Sequence, residues 1–183
     1  MAAFGLQSLL YYGTIAWLPN VYVERGWSTT EAGSLVAIFN AVGLITTLGF
    51  PLVADRFGAR RVQLVLSSGV WAAVMLAVVV LPAYAYVWVA LLGLASGTVF
   101  TLVLTLPLDV ADQPSQVGSV AALMLLGGYI VSALGPLALG AARDATGNFQ
   151  ASLWLLVVVA FSLVACCLLL TPRRLHHGIR REA

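Results

Sequence analysis

Polar side chains recur at helical spacing inside long apolar stretches of this 183-residue sequence. Residues three or four apart share one face of a helix. Four of the apolar stretches hold such sets or single polar groups, namely Gln7, Tyr11 and Thr14; Asn40; Thr98, Thr101 and Thr105; and Tyr129 with Ser132. Buried amide and hydroxyl groups must find hydrogen-bond partners. The chemistry open to these residues is therefore hydrogen bonding, either to a neighbouring helix or to a solute or water in a cavity.

For the larger polar groups, a position at a cavity is the stronger of the two alternatives. Gln7, Tyr11, Asn40 and Tyr129 carry groups that are hard to satisfy within their own helix, so we predict that they contact a bound solute, with Thr101 next. For the threonines and serines, hydrogen bonds to their own helix or to a neighbouring helix are the stronger alternative. A cavity built in this way would draw on the first, second, fourth and fifth apolar stretches.

The sequence has no catalytic or metal-binding arrangement of residues. His176 and His177 are adjacent near the end of the chain, and Cys166 and Cys167 lie in an apolar run, where we expect small buried hydrophobic residues. A membrane enzyme would need acids, histidines or a nucleophile that converge near one membrane face. Because the sequence has no lysine, it cannot form the phosphate-binding loop of an ATP-driven pump. We predict no catalytic residue, no metal and no cofactor.

The composition is that of a membrane protein. Hydrophobic residues make up 61% of the chain, and only nine basic and seven acidic residues carry charge, whereas about 25% of residues are charged in soluble domains. So few charges cannot cover the surface of a globular fold of this length without exposing apolar patches. A soluble enzyme, a disordered chain and a secreted disulfide scaffold are therefore excluded.

Six apolar segments have the length of about 20 residues that a helical membrane crossing needs. We predict helices at about residues 3–23, 32–54, 62–81, 83–108, 115–142 and 149–171, which form one bundle over residues 1–171. Ser28 and Glu31 have the spacing of a capping box, so we expect them to begin the second helix. The predicted fold class is an all-α membrane protein, since these runs lack the alternation of membrane β-strands.

The arginines predict the orientation of the chain. With the amino terminus in the cytoplasm, the outer loops hold only Arg25 and Arg143. The inner segments hold the other seven, which are Arg56, Arg60, Arg61, Arg173, Arg174, Arg180 and Arg181. Because cytoplasmic loops carry the excess of basic residues, we predict an inner-membrane protein with both termini in the cytoplasm and a basic cytoplasmic tail at residues 172–183.

Two similar motifs follow the second and the fifth predicted helix. Asp55-Arg56-Phe57-Gly58 and Asp144-Ala145-Thr146-Gly147 share the form Asp-x-x-Gly, and the predicted topology puts them on opposite sides of the membrane. This arrangement indicates a three-helix unit that occurs twice with opposite orientation, a 3+3 inverted repeat. Two unrelated turns are the alternative, since Asp and Gly are common in turns.

Packing within the bundle is also predicted in part. Gly93 and Gly97 have the small-xxx-small spacing that lets two helices approach closely. The third and sixth helices carry the fewest polar groups, so we expect them to pack outside the others and to touch lipid.

The stretch from Pro51 to Arg61 resembles the cytoplasmic loop signature of the major facilitator superfamily, an Asp-Arg-x-Gly core followed by a basic pair. Gly128-Tyr129, Leu134-Gly135-Pro136 and the motif at Asp144 further resemble a bacterial branch of that family, the cyanate and nitroimidazole transporters. The opening of the chain, with Gly5-Leu6-Gln7-Ser8-Leu9 and Trp17-Leu18-Pro19, does so as well. The resemblance covers the whole chain.

This resemblance implies the carboxy-terminal six helices of a twelve-helix transporter, which moves a small polar or anionic organic solute by alternating access. It implies that Asp55, with Arg56, Gly58, Arg60 and Arg61, forms a loop that latches one conformation. The expected partners are a small solute, the lipid bilayer, and an amino-terminal six-helix half or a second copy of the chain. No nucleic acid is expected.

Two questions stay open at this point. Arg56, Arg60 and Arg61 are expected to form ion pairs with Asp109 and Asp112, or else they serve only as the signal that sets the orientation. The alternative function is a six-helix scaffold or assembly subunit without transport.

Overall fold

The computed structural model of the protein describes residues 1–54, 60–111 and 113–170, without the side chains of residues 53 and 54. These residues form six α-helices, joined in two places by short 3₁₀ turns at Pro82–Tyr84 and Pro114–Gln116. The helices are α1 (Ala2–Glu24), α2 (Thr29–Ala54), α3 (Arg60–Val80), α4 (Ala85–Val110), α5 (Val117–Thr146) and α6 (Gln150–Leu169). Within the described ranges the fold is all-α, as predicted.

Prolines account for two differences between the expected and observed helix boundaries. Pro82 and Pro114 each open a 3₁₀ turn, so that α4 begins at Ala85 and α5 at Val117, each two residues later than predicted. Proline suits the first position of a helical turn because it lacks a backbone N–H group. At its other end α5 continues to Thr146, four residues beyond the predicted end.

The capping box that begins α2 is confirmed. The backbone N–H of Ser28 donates to Oε2 of Glu31 at 2.9 Å, and the backbone N–H of Glu31 donates to Oγ of Ser28 at 3.2 Å. Each side chain thus satisfies a backbone donor that the first turn leaves free. Because the box acts at residue 28, α2 starts at Thr29, earlier than the predicted residue 32.

Five helices in the described part of the chain, α2 to α6, are long and apolar enough to cross a membrane. The sequence predicted six such helices. α1 has 23 residues, which is sufficient length, but it is not among the five. The reason is chemical: α1 carries Gln7, Ser8, Tyr11 and Asn20 within its length, and these polar residues lower its mean hydropathy.

The six helices pack in two close pairs supported by a third. α2 lies mainly against α4, and α1 mainly against α5, while α3 and α6 pack on each other and against α4 and α1, respectively. Trp71 and Met75 of α3 and Leu153 and Leu156 of α6 are almost fully buried. The helices α3 and α6 therefore hold much of the core, although each keeps one exposed apolar face.

Glycines allow α2 and α4 to approach closely, as their spacing predicted. A Cβ atom added at Gly93 would lie 2.5 Å from the carbonyl oxygen of Phe39, and one added at Gly97 would overlap the carbonyl oxygen of Gly43. Both obstacles are backbone atoms, which cannot rotate away. The two positions therefore require a residue without a side chain.

We expect Gly97→Ala to lower the free energy of unfolding by about 1–3 kcal/mol, because overpacking forces the two backbones apart. Gly69→Ala in α3 is the matched control, since no atom lies within 4 Å of a Cβ atom added there and alanine favours helix over glycine. Thermal unfolding of the purified protein in detergent measures both. Equal stability of the two variants would show that the α2–α4 contact tolerates a side chain.

Candidate functional site

A cavity of about 470 Å³ lies between α1, α2, α4 and α5. This volume falls within the range of about 300–1,000 Å³ that is typical of small-molecule sites. In the part of the chain that the structure describes, α3 and α6 contribute no residue to its lining. The cavity thus occupies the space between the two close helix pairs, α1 with α5 and α2 with α4.

The α1 wall of the cavity consists of two adjacent polar pairs one helical turn apart, Gln7 with Ser8 and Tyr11 with Tyr12. Gln7 and Ser8 are only 2% and 4% exposed. The hydroxyl of Ser8 donates to Oε1 of Gln7 at 3.1 Å. This bond occupies the carbonyl end of the Gln7 amide and leaves its nitrogen without a partner among the described residues.

Tyr11 and Asn40 join α1 to α2 inside the cavity. The hydroxyl of Tyr11 donates to Oδ1 of Asn40 at 2.6 Å. The Nδ2 atom of Asn40 donates to the backbone carbonyl of Val36, one turn earlier in α2, at 2.9 Å. The amide of Asn40 is thereby fixed in one orientation at the cavity wall.

Aromatic rings form much of the remaining wall. Phe39 comes from α2, Phe100 from α4 and Tyr129 from α5. The ring of Tyr129 stands edge to face against Phe4, with 5.3 Å between ring centroids, and Tyr11 lies against Phe39 at 5.6 Å. Such aromatic pairs hold the rings in place, so the cavity combines fixed flat surfaces with a few polar groups.

The structure therefore brings together four of the five residues that the sequence predicted as solute contacts: Gln7, Tyr11, Asn40 and Tyr129 all line this cavity. Thr101 is not among the lining residues. Its hydroxyl donates to the carbonyl of Gly97 at 2.9 Å and lies 3.4 Å from the carbonyl of Thr47 in α2. Close packing of α2 and α4 at Gly97 turns Thr101 towards that contact.

Of the other four hydroxyl residues that the sequence placed at helical spacing, three bond to their own helix, which was the alternative prediction. Thr98, Thr105 and Ser132 each donate to a carbonyl three or four residues earlier in the same helix. Thr14 is buried, and its hydroxyl has no hydrogen-bond partner within the described ranges. The bonds of Thr98, Thr105 and Ser132 form because short hydroxyl side chains reach the backbone of the preceding turn.

Sequence reasoning missed several lining residues beside the predicted ones. They are Ser8, Tyr12, Phe39, Gly43, Leu44, Thr47, Ser96, Gly97 and Phe100. Helical spacing from the predicted contacts was the available signal, since Phe39 and Gly43 flank Asn40 on one face of α2. The α4 contribution had no such signal because its threonines face other partners.

At the end of the bundle where α3 begins, two arginines make separate contacts. Nη1 of Arg60 lies 3.1 Å from Oδ1 of Asp109 near the end of α4, which is one of the expected ion pairs. Nη2 of Arg61 instead donates to the carbonyl of Leu168 at the end of α6, at 2.8 Å. The predicted latch residues Asp55, Arg56 and Gly58, and also Asp112, lie outside the described residues.

The motif at the end of α5 closes that helix. Gly147 adopts φ +73°, and its backbone N–H donates to the carbonyl of Arg143 at 2.7 Å. Glycine adopts this left-handed conformation without steric cost, which is why it commonly ends helices. Asp144 is exposed and pairs only with the adjacent Arg143 in the described part of the chain, with 3.1 Å between Nη1 and Oδ1.

The cavity lining contains no Asp, Glu, Lys, Arg or His. The described residues also include no group of three or more His, Cys, Asp or Glu that could hold a metal ion. The groups that face the cavity can form hydrogen bonds and aromatic contacts with a bound molecule.

The family model of the Major Facilitator Superfamily matches residues 1–183. The chain belongs to this family, and it is a multi-pass membrane protein. Family membership also supports the prediction that the chain is not an enzyme.

Relatives of known name agree with the family. The chain is similar to the 2-nitroimidazole transporter of Escherichia coli (strain K12), with 32% identity over 154 residues, which are 81% of this chain and 38% of the relative. It is 33% identical over 154 residues to the cyanate transport protein CynX of the same organism, covering 80% of this chain and 38% of the relative. An uncharacterized transporter of Bacillus subtilis (strain 168), YycB, is 26% identical over 155 residues.

These relatives confirm the branch of the family that the sequence motifs resembled. They are also much longer proteins, since the matched region spans only 38–39% of their length. The chain therefore matches only part of the length of each relative.

The Tyr11–Asn40 hydrogen bond generates a prediction on stability. In a double-mutant cycle of Tyr11→Phe and Asn40→Leu, we expect a coupling free energy of about 1 kcal/mol, as for hydrogen bonds between membrane helices. Thermal unfolding in detergent measures it. The control cycle uses Tyr129→Phe with Asn40→Leu and should give no coupling, because the Tyr129 hydroxyl has no partner among the described residues. A coupling of zero in the first cycle would contradict the bond.

Proposed function

We propose that this chain is the carboxy-terminal six-helix half of a transporter that moves a small polar or anionic organic solute across the inner membrane by alternating access. The observation that carries the proposal is the cavity, where Gln7, Tyr11, Asn40 and Tyr129 come together from three helices inside an otherwise apolar bundle. Polar groups at such a position are costly unless water or a solute uses them. Relatives named for 2-nitroimidazole and cyanate support a small solute.

The helix contacts support the proposed 3+3 inverted repeat. In such a repeat, α1 corresponds to α4, α2 to α5 and α3 to α6. Under this correspondence the α2–α4 contact matches the α1–α5 contact. The α3–α4 contact likewise matches the α1–α6 contact. Glycines serve both close pairs, since a Cβ atom added at Gly5 or Gly13 of α1 would crowd side chains on α5. A bundle made of two equivalent units has a natural axis for rocking around a central site.

We further propose that a second six-helix bundle, either an amino-terminal half or a second copy of this chain, completes the site. α2 and α5 support this, since they flank the cavity and carry long exposed apolar faces. The exposed side chains include Leu44, Ile45 and Leu48 on α2 and Leu126, Ile130 and Leu134 on α5. Leu44 also lines the cavity, so the apolar face of α2 continues directly into the site.

The orientation with cytoplasmic termini and the latch role of Asp55, Arg56, Gly58, Arg60 and Arg61 are also part of this proposal. The Arg60–Asp109 ion pair supports it, because it joins the start of α3 to the end of α4 at the same end of the bundle. Tyr22, Trp27 and Tyr86 cluster at the opposite end. An aromatic cluster of this kind is typical of a membrane–water interface.

Uptake by the complete protein in proteoliposomes tests the site, with cyanate and 2-nitroimidazole as the first solutes. We expect Gln7→Met and Asn40→Leu each to raise the apparent KM at least about fivefold, or to abolish uptake, since each removes a hydrogen bond worth about 1 kcal/mol or more.

Asn20→Leu is the matched control for Asn40→Leu. Asn20 also donates to the carbonyl four residues earlier in its own helix, but it is not among the cavity residues. Uptake that is unchanged after Gln7→Met and Asn40→Leu are combined would assign both residues to contacts between helices.

The latch proposal gives a separate expectation. Asp55→Asn should reduce the transport rate by more than it reduces the yield of folded protein, since it removes a charge that is worth about 0.3–1 kcal/mol near a helix amino terminus and leaves side-chain volume unchanged. Uptake rates and size-exclusion yields of the same preparations measure the two effects. Equal losses would show that Asp55 acts only as a structural cap.

A further inference from the structure

We propose that the wall of the site contributed by this chain selects small planar solutes that accept hydrogen bonds and carry no net charge. This inference rests on the proposed function, and it narrows the polar or anionic solute named there to the uncharged polar class for the wall that this chain supplies. Three observations carry it: the absence of charged groups from the described lining, the kind of polar atom left free there, and the number of aromatic rings.

Charge is excluded by the position of the ionic side chains. Those that the structure describes on the helices lie in first or last turns, as Glu24, Arg60, Asp109 and Arg143 illustrate, and none of them lines the cavity. A net charge in a weakly polar environment is costly unless an opposite charge lies nearby. This wall offers no such countercharge to an anion or to a cation.

One free polar atom at the cavity can act only as a donor. The carbonyl oxygens of both lining amides are already in use, that of Gln7 by Ser8 and that of Asn40 by Tyr11. The Asn40 nitrogen is bound to its own helix. The Gln7 nitrogen, which can only donate, has no partner among the described residues. A solute that enters here meets a buried N–H donor, and an acceptor group on the solute satisfies it.

Three further hydroxyl residues surround the same space. Tyr12, Ser96 and Tyr129 line the cavity, and their hydroxyls, which can donate as well as accept, have no hydrogen-bond partner within the described ranges. A solute with two acceptor atoms can therefore be held from more than one side.

Aromatic rings define the preferred shape. Tyr11, Tyr12, Phe39, Phe100 and Tyr129 all border the cavity. Rings attract other flat π-systems in offset or edge-to-face arrangements and bury much apolar area when they do so. A planar solute can use these surfaces, whereas a puckered saturated ring of similar size cannot make the same contacts.

A matched set of probes separates charge from shape. Nitrobenzene, benzoate and benzamidinium share a planar ring with a forked substituent, but they are, respectively, a neutral acceptor, an anionic acceptor and a cationic donor. Nitrocyclohexane keeps the nitro group and loses the planar ring. Binding of each probe to the complete protein in lipid nanodiscs is measured by equilibrium dialysis, with protein-free nanodiscs as the correction for partition into lipid.

We expect nitrobenzene to bind at least tenfold more tightly than each of the other three probes. Gln7→Met should weaken nitrobenzene binding about fivefold, since it removes the free donor at similar volume, and Asn20→Leu should leave binding unchanged. Tighter binding of benzoate would overturn the inference, because a countercharge from outside this wall would then dominate. Binding of nitrobenzene that is absent or insensitive to Gln7→Met would overturn it as well.

These outcomes are distinct from failure of the proposed function. Benzoate that binds most tightly and competes with uptake would contradict the inference about charge, while the cavity would remain the solute site. Loss of the proposed function itself would appear in the uptake assay, as transport that is unaffected by Gln7→Met and Asn40→Leu.

Discussion

A polar group buried in this apolar bundle is costly without a hydrogen-bond partner, and that constraint divides most of its polar residues into two sets. Short hydroxyl side chains such as Thr98 and Ser132 donate to the preceding turn of their own helix. Longer amide side chains carry more donors and acceptors than the preceding turn alone can satisfy. Gln7, Tyr11 and Asn40 line one cavity, where Tyr11 bonds to Asn40 across two helices and the Gln7 nitrogen stays free for a bound molecule. The site follows from the same requirement that keeps the rest of the bundle apolar.

Glycine determines where that cavity can open. Gly93 and Gly97 bring α4 against α2, and Gly5 and Gly13 bring α1 against α5. Because these pairs are close, the looser space lies between them, and α3 and α6 support it from one side. The same pairing leaves the apolar faces of α2 and α5 exposed, which is the surface that a second bundle would cover under the proposed function.

Much of this arrangement could be predicted from the sequence, because it depends on local patterns. Apolar length predicted the helices, and the spacing of Ser28 and Glu31 predicted a cap that the structure contains. Four cavity residues were predicted from side-chain size. Thr101 lies outside the cavity lining because its direction depends on how closely α2 and α4 pack, and the lining by Ser96 and Phe100 depends on the same packing. The Tyr11–Asn40 bond joins residues 29 positions apart, and spacing along one helix carries no information on such a contact.

Protection of a cavity thiol by solute tests the central claim most directly. Ser96→Cys is introduced into the complete protein after Cys166 and Cys167 are replaced by alanine, with Thr30→Cys at the exposed start of α2 as the control. The account predicts that a saturating transported solute slows the reaction of the thiol at position 96 with a water-soluble maleimide and leaves the thiol at position 30 unaffected. Equal reaction rates at position 96 with and without solute, in protein that still transports, would contradict a solute site between α1, α2, α4 and α5.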